Sequence, residues 1–483
     1  MKTLSLAFLC AALAGCTVGP DYEKPAAPQP AAFKELDGWK PAAPREAASG
    51  SPWWSIYADP NLDGLERQVE ISNESLKASE AAFRTASAVV DEARAGYFPT
   101  VSASVSAQRT SQPLNSGGSA TRGGSGGGNN RIVQNSFSAT PTASWVPDLW
   151  GRIRRTVEAD IANAQASAAD LAAARLSAQA TLASDYFQLR IADEQKRVLE
   201  ETVAAYGRSL KIARDQYEAG FAAQTDVITA QTQLQNAQAQ LVDIGVQRAV
   251  LEHAIAVLIG KPPAEFAVAP AALSTTVPVS PPGLPSTLLE RRPDIAAAER
   301  AVAAANAQIG VAQSAYYPDL TLSASLGFTS SMIGNLFALS NSAWSIGASA
   351  AETIFDGGLR SAQVAAARAT WDQSVATYRQ TVLTGFQQVE DELATLRILE
   401  QQSEIQNAAL QSARLAVQLT LNQYQAGTIA YTSVVVAQTT ALGDELAVLT
   451  IEQNRLVASV TLVEAIGGGW DSTQLPIVAK TER

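Results

Sequence analysis

The stretch YEAGFAAQTDVITAQTQLQNAQAQL, Tyr217–Leu241, returns in altered form as YQAGTIAYTSVVVAQTTALGDELAV, Tyr424–Val448, an offset of 207 residues. Each opens on Tyr-x-Ala-Gly and runs on without proline into a helical pattern. Toward the N-terminus of each copy, ARAGYFPTVSASVS (Ala93–Ser106) answers to AQSAYYPDLTLSAS (Ala312–Ser325), with Pro99 against Pro318 and an offset of 219. The difference between the two offsets lies mostly in NSGGSATRGGSGGGNN, Asn115–Asn130, which lengthens only the first copy. The chain is an internal duplication. Residues 61–286 hold the first repeat and 287–470 the second, with a tail over 471–483.

Each copy follows the same order: helix, strand, turn, strand, then a long run of helix. Strands are expected within about 100–146 and 319–355, where apolar and small polar residues alternate with period two. Val101, Ala103, Val105 and Ala107 point one way, and Thr100, Ser102, Ser104 and Ser106 the other. Phe137, Ala139, Ala143 and Trp145 repeat the pattern, as do Leu320, Leu322, Ala324, Leu326 and Phe328, and then Trp344, Ile346, Ala348 and Ala350. Alternation alone fits both a soluble antiparallel sheet and a membrane barrel with a wet lumen. Segments of about ten residues in an exported chain favour the barrel. Four strands cannot close one, and open edges are not tolerated in hydrocarbon, so a barrel has to be shared between chains: eight strands from a dimer or twelve from a trimer.

Between Trp150 and Glu218 there is no proline and only Gly151 and Gly207 interrupt good helix formers,. A helix of that length reaches roughly 100 Å. Beyond Tyr217 the apolar seam is a heptad, Val227, Ala230, Leu234, Ala237, Leu241, Ile244, Leu251, Ile255 and Leu258, broken by Arg248,. Val434, Ala437, Ala441, Val448, Ile451, Ala458 and Leu462 repeat it, broken by Arg455 at the equivalent place. Alanine seams with Gln, Asn and Ser flanks suit packed hairpins wetted on both sides.

The N-terminus bears on compartment. Residues 1–15 read as a signal peptide: Met1-Lys2, an apolar run from Leu4 to Leu13 too short to span a bilayer, then Leu-Ala-Gly before Cys16,. That ending is similar to a bacterial lipobox, which implies a diacylglycerol on the Cys16 thiol and an acyl chain, such as palmitoyl, on its amine. Thr17 rather than Asp after the cysteine favours the outer membrane. Residues 16–60 are then a lipid-anchored, Pro/Ala-rich tether, beginning TVGPDYEKPAAPQPAAF after the cysteine,. With Cys10 in the signal and Cys16 acylated, no thiol is left for a disulfide. A net charge of -11 argues against nucleic acid, one histidine (His253) leaves little for a metal, and no cofactor is expected beyond the lipid,. No run of eighteen apolar residues follows the signal, so no transmembrane helix is expected.

GCTVGPDYEKP at Gly15–Pro25, WWSIYADPNLDGLE from Trp53, LLERRPDIAAAE from Leu288, the two Tyr-x-Ala-Gly motifs and AIGGGW at Ala465–Trp470 fall in order along nearly the whole mature chain. Together they resemble the TolC-type outer-membrane efflux channels, in their NodT-like lipoprotein branch. The resemblance implies a mainly α fold with membrane β: a homotrimer whose twelve-stranded outer-membrane barrel, four strands from each chain, continues as a long periplasmic α-helical barrel. It implies partners, a periplasmic adaptor and an inner-membrane pump of resistance-nodulation-division class. It also implies a passive duct rather than an enzyme. A trimeric coiled-coil envelope lipoprotein with a structural or adhesive role is the alternative.

Under the resemblance the two Tyr-x-Ala-Gly turns form the periplasmic tip and gate, with Gly220 and Gly427 ending helices where the chain reverses. Tyr217 and Tyr424 are expected to pack or hydrogen-bond across the joint, and Asp226 occupies a place whose acid in relatives takes part in a latch, with Tyr424 as its matching partner. The plain reading of Asp226 is a solvated carboxylate at the favourable end of a helix dipole. Ser433, Val436 and Ile429 stand where relatives carry charged groups in the second copy, so an acidic ring from that copy is not expected. GGSGGG lacks the Lys-Ser/Thr of a phosphate loop, and Glu390-Asp391-Glu392 reads as a charged helix face. Arg152, Arg154 and Arg155 begin a helix at its unfavourable end, which suggests lipid headgroups at the membrane rim as their partners.

Overall fold

The structure, a computed structural model, describes residues 17–30, 32–35, 52–113, 131–273, 277–278 and 290–476. Cys16, the insert at Asn115–Asn130 and residues 477–483 lie outside them. The elements are α1 (Pro60–Ser72), α2 (Glu74–Ala95), β1 (Thr100–Pro113), β2 (Arg131–Trp145), α3 (Arg152–Glu218), α4 (Gln224–Leu258), α5 (Pro293–Ser314), β3 (Asp319–Ser330), β4 (Ser342–Ala351), α6 (Leu359–Gln425) and α7 (Tyr431–Ala465). The duplication is exact in helix length: α2 and α5 have 22 residues each, α3 and α6 have 67, α4 and α7 have 35.

Two compact units divide the chain. The first takes Met1–Lys24, Thr85–Ala164 and Ala301–Ser374, the second Pro25–Arg84, Gln165–Arg300 and Val375–Arg483. All four strands lie in the first, as an antiparallel sheet in the order β1-β2-β3-β4. The register joins the alternating faces across it. Val101 pairs with Ala143, Ala143 with Ala324 and Ala324 with Ile346, an apolar row. Ser102 pairs with Thr142, Thr142 with Ser325 and Ser325 with Ser345, a polar row. Hydroxyl pairs at 2.8 Å link Ser102 to Thr142, Ser106 to Ser138 and Ser325 to Ser345. Val105 is 81% exposed and Trp344 74% on the apolar side. An uncovered apolar face backed by a hydrogen-bonded hydroxyl face is the pattern of a barrel strand set in lipid.

The first unit also fixes the segment that begins at Thr17. Arg155 is buried, and its guanidinium donates to the Val18 carbonyl at 3.2 Å, the Gly19 carbonyl at 3.2 Å and Asp21 at 2.9 Å, with Glu158 at 2.7 Å. The Val18 N–H donates to the Trp150 carbonyl at 3.2 Å. A Cβ on Gly19 would stand 2.5 Å from Gly310 Cα, so the strap crosses α5 where neither residue has a side chain,. The lipid-headgroup expectation for the arginine cluster is thus overturned for two of its members. Arg155 holds the strap, and Arg154 pairs with Asp148, whose carboxylate caps α3 by accepting from the Ile153 and Arg154 amides. Replacing Arg155 by alanine removes three charge-assisted bonds to the strap. Amide exchange of residues 17–24, followed by mass spectrometry, is expected to accelerate at least about tenfold; unchanged protection would mean that other contacts hold the strap.

In the second unit the core is built around the first copy's opening motif. Trp53–Tyr57 forms a helical turn with Trp54 and Tyr57 buried, packing with Leu62, Val69, Leu182, Tyr186, Phe187, Ile255 and Val460. The tether therefore ends before Trp53, not at residue 60, because three aromatic rings enter the core at Trp53, Trp54 and Tyr57. Asp59 caps α1 through the Asn61 and Leu62 amides and accepts from the Tyr186 hydroxyl at 2.7 Å. The seam residues of α4 and α7 are buried or half-buried as their heptads require. Arg248 is a junction rather than a defect: it donates to Asp193 at 2.8 Å, Glu252 at 3.2 Å and the Val268 carbonyl. Its counterpart Arg455 has only longer ion pairs, to Glu452 at 3.7 Å and Glu400 at 4.0 Å.

Glu390 is also more than a charged face. Its two carboxylate oxygens accept from the Lys34 and Glu35 amides at 2.7 and 3.0 Å, while Phe33 packs edge-on against Phe386. His253 is exposed. Helix α7, with a mean hydropathy of 1.4 over its most apolar window, is long and apolar enough to cross a membrane, contrary to the expectation from strict apolar runs. Two of its buried polar side chains have partners in the same unit, however. Gln438 donates to Ser209 at 2.9 Å, and Ser459 pairs with the Tyr57 hydroxyl at 2.8 Å. Such bonds are those of a packed helix.

Candidate functional site

The turns that join α3 to α4 and α6 to α7 lie in the second unit and are built alike. Gly220 has φ of 79° and Gly427 of 71°, the left-handed conformation that ends a helix,. After the first, the Phe221 amide reaches back to the Gln216 carbonyl at 2.9 Å and the Gly220 amide to Tyr217 at 3.0 Å. After the second, Thr428 reaches Gln423 at 3.0 Å and Gly427 reaches Tyr424 at 2.9 Å. Both are Schellman caps, so two sharp reversals are encoded by two glycines. The helices that leave them begin at Ala223 and Ala430, which supply no side-chain cap. These first turns leave amide donors without the side-chain acceptor that usually steadies a helix start.

The copies part at the tyrosines. Tyr424 is 3% exposed, whereas Tyr217 is 45% exposed. Within the chain the buried cluster is assembled around the second copy's tyrosine, and Tyr217 lies outside it. Tyr424 meets Tyr431 edge to face, with centroids 5.0 Å apart. Around this pair sit Leu210, Ala213, Ala230 and Val434. The two turns are bridged by Gln216, whose amide donates to the carbonyls of Tyr424 and Gln425 at 3.3 and 3.4 Å.

Asp226, in the first turn of α4 where the dipole favours an anion, stands beside Tyr424,. Burial first, and then that carboxylate, push the Tyr424 phenol up to about 12. The Tyr424 oxygen is buried yet makes no hydrogen bond of normal geometry. The ring's contribution is therefore packing area more than a hydrogen bond. Tyr431 is likewise pushed up to about 12 by burial and the neighbouring phenol. Ile429 packs on the cluster, while Ser433 and Val436 are exposed. Tyr431, Ser209 and Gln438 escaped the sequence reading; the one signal was that Tyr431 has no tyrosine at the equivalent first-copy position, Gln224.

The sequence profile described as outer membrane efflux protein matches residues 65–261 and 284–468, one match for each repeat. The chain belongs to the outer membrane efflux protein family. This efflux protein is 31% identical over 483 residues to the pyoverdine export outer membrane protein OpmQ of Pseudomonas aeruginosa, covering 99% of each chain. It is 29% identical over 472 residues to the toluene efflux pump outer membrane protein TtgC of Pseudomonas putida, covering 97% of this chain and 95% of that protein. Among solved structures it is similar to the outer-membrane channel OprN, with a TM-score of 0.84 and 28% identity over 94% of this chain and all of that one. The fold is the duplicated one of these channels, and the protein is an outer-membrane channel of an efflux system that extends into the periplasm. Passage, not bond chemistry, is its task.

Proposed function

We propose that three copies of this efflux protein close a twelve-stranded barrel and a helical duct, and that the duct is shut at its periplasmic mouth by the Tyr424–Tyr431 cluster and Asp226. The observation that carries this reading is the four-stranded sheet, apolar on one face and hydroxylated on the other, whose outermost strands β1 and β4 have no further neighbour among the described residues. Edges of that kind in hydrocarbon require neighbouring copies. The α3–α4 and α6–α7 turns, two from each chain and six in a trimer, then ring the mouth. Supporting the gate are the paired Schellman turns, the uncapped helix starts and the buried aromatic pair that only one copy supplies. A lipid on Cys16 would hold the strap's start at the membrane.

The duct receives cargo from an inner-membrane pump of resistance-nodulation-division class through a periplasmic adaptor. Relatives named for export of pyoverdine, toluene and cations support small-molecule cargo without choosing among these. Native mass spectrometry of the purified protein is expected to give three chains, each carrying the lipid mass, and planar bilayers to give discrete conductance steps. A monomer without conductance would sink the duct, and an unmodified Cys16 would sink the anchor.

A further inference from the structure

The chain carries a net charge of -11, yet residues 100–147 hold three arginines and no Asp, Glu or Lys, and residues 320–351 hold no charge at all. Two of those arginines, Arg109 and Arg131, stand on described strands and are exposed. The register fixes their side of the sheet. Arg109 pairs with Asn135, two steps beyond Ala107 and Phe137, and Arg131 pairs with Pro113. Side chains two apart share a face, so both arginines continue the row of Val101, Ala103, Val105 and Ala107, the apolar face, while Gln108, Thr110 and Gln112 continue the hydroxyl face.

Height is fixed by the same pairing. β3 ends at Ser330 opposite Phe137, so residues 108–113 and 131–136 run on beyond the paired part of β3, at the end of the strands remote from the helices. The outward face is thus uncharged for the length of the apolar band and turns cationic where that band stops. No carboxylate of either hairpin lies there to neutralise it.

We propose that Arg109 and Arg131 bind phosphate groups of lipid headgroups in the outer leaflet, tying the β1–β2 hairpin to the membrane surface. This rests on the outer-membrane barrel reading, which puts the hairpin tips outside. A guanidinium matches a phosphate with two parallel N–H donors and, unlike an ammonium, loses little on leaving bulk water. The two are separated by about 14 Å along the strands, four residues at the usual rise, so each takes its own phosphate. A lumenal role in drawing anionic cargo does not fit their parity.

The test uses the full-length purified protein in neutral detergent, titrated with lipid A bearing its phosphates, with the same lipid after dephosphorylation, and with inorganic phosphate, reading thermal unfolding and co-purified lipid. The phosphorylated lipid alone is expected to raise the melting temperature. Arg109→Gln and Arg131→Gln each are expected to weaken apparent affinity about fivefold, and the double variant about 25-fold, from the usual worth of a basic side chain at an anionic surface. Arg214→Gln, an exposed arginine near the far end of α3, is expected to change nothing. An undiminished response in the double variant, or an equal response to the dephosphorylated lipid, would overturn the proposal. An equal response to inorganic phosphate would reduce it to an adventitious ion only. Bilayer conductance of the same preparations separates the outcomes: conducting protein without a lipid response defeats this proposal alone, whereas protein that never conducts defeats the barrel reading. Altered ion selectivity in the double variant with lipid response intact would place the arginines in the lumen.

Discussion

Replacing Glu66 by glutamine is expected to stabilise the protein at alkaline pH by several kcal/mol and to remove most of the fall in stability that the parent shows as pH rises. Glu66 lies on α1 in the aromatic core of the second unit, fully buried, and neither carboxylate oxygen has a hydrogen-bond partner. Burial, with Glu70 one helical turn away, raises its pKa to about 9. An ionised carboxylate so placed would lack both water and a counter-charge, so the native state keeps the proton. The unfolded chain releases it near the ordinary value of 4.5. Stability from this group is therefore full below the ordinary carboxyl range and is lost as pH climbs toward 9, at about 1.4 kcal/mol per pH unit at most.

Thermal unfolding of parent and Glu66→Gln between pH 5 and 9 reads this directly. Asp185 and Glu392, also raised by burial to about 6 and 7, titrate in both proteins, so the difference between the two curves isolates Glu66. Parallel curves would show that water or a rearranged partner reaches the carboxylate.

Gly467→Ala is expected to be among the most damaging substitutions in the chain. Gly467 ends α7 at φ of 95°, and an added Cβ would lie 2.1 Å from the Arg291 carbonyl oxygen. Backbone on both sides of that contact cannot step aside, and Arg292 next to it is tied to the Ala465 carbonyl at 2.9 Å. Gly260 in the first copy repeats the arrangement against the Ser72 carbonyl at 2.3 Å. Loss of about 3 kcal/mol or more, or failure to assemble, is expected for each from overpacking plus left-handed strain. Gly245→Ala in the middle of α4 is the control: nothing lies near its added methyl, and helix propensity favours alanine by about 1 kcal/mol,. Equal yields and melting temperatures for Gly467→Ala and Gly245→Ala would contradict the tight crossing.

Much of this fold can be read from the chain because it is written twice. Matching helix lengths, the faces of all four strands and the glycines of both turns follow from local rules: proline-free runs, period two, and left-handed C-caps. What was hidden depends on partners far away in sequence. Glu66 reads as an ordinary amphipathic-helix carboxylate until Trp53, Trp54 and Tyr57 close around its helix. Arg155 and Glu390 look like surface charges until the strap lies on them. At the tip the copies diverge. Equivalent tyrosines suggested equivalent roles, but within the chain Tyr431, Ser209 and Gln438 break the symmetry, and Tyr424 alone of the two joins the buried cluster.

Leak conductance of Tyr424 variants in planar bilayers tests the gate most directly. Because the Tyr424 hydroxyl makes no hydrogen bond of normal geometry and its ring packs on Tyr431, the ring carries the closure and Tyr424→Phe should cost far less than loss of the whole side chain. Tyr424→Ala removes a buried ring worth about 3–5 kcal/mol of packing and should raise leak severalfold. Equal leak from Tyr424→Ala and the parent would contradict closure by this cluster.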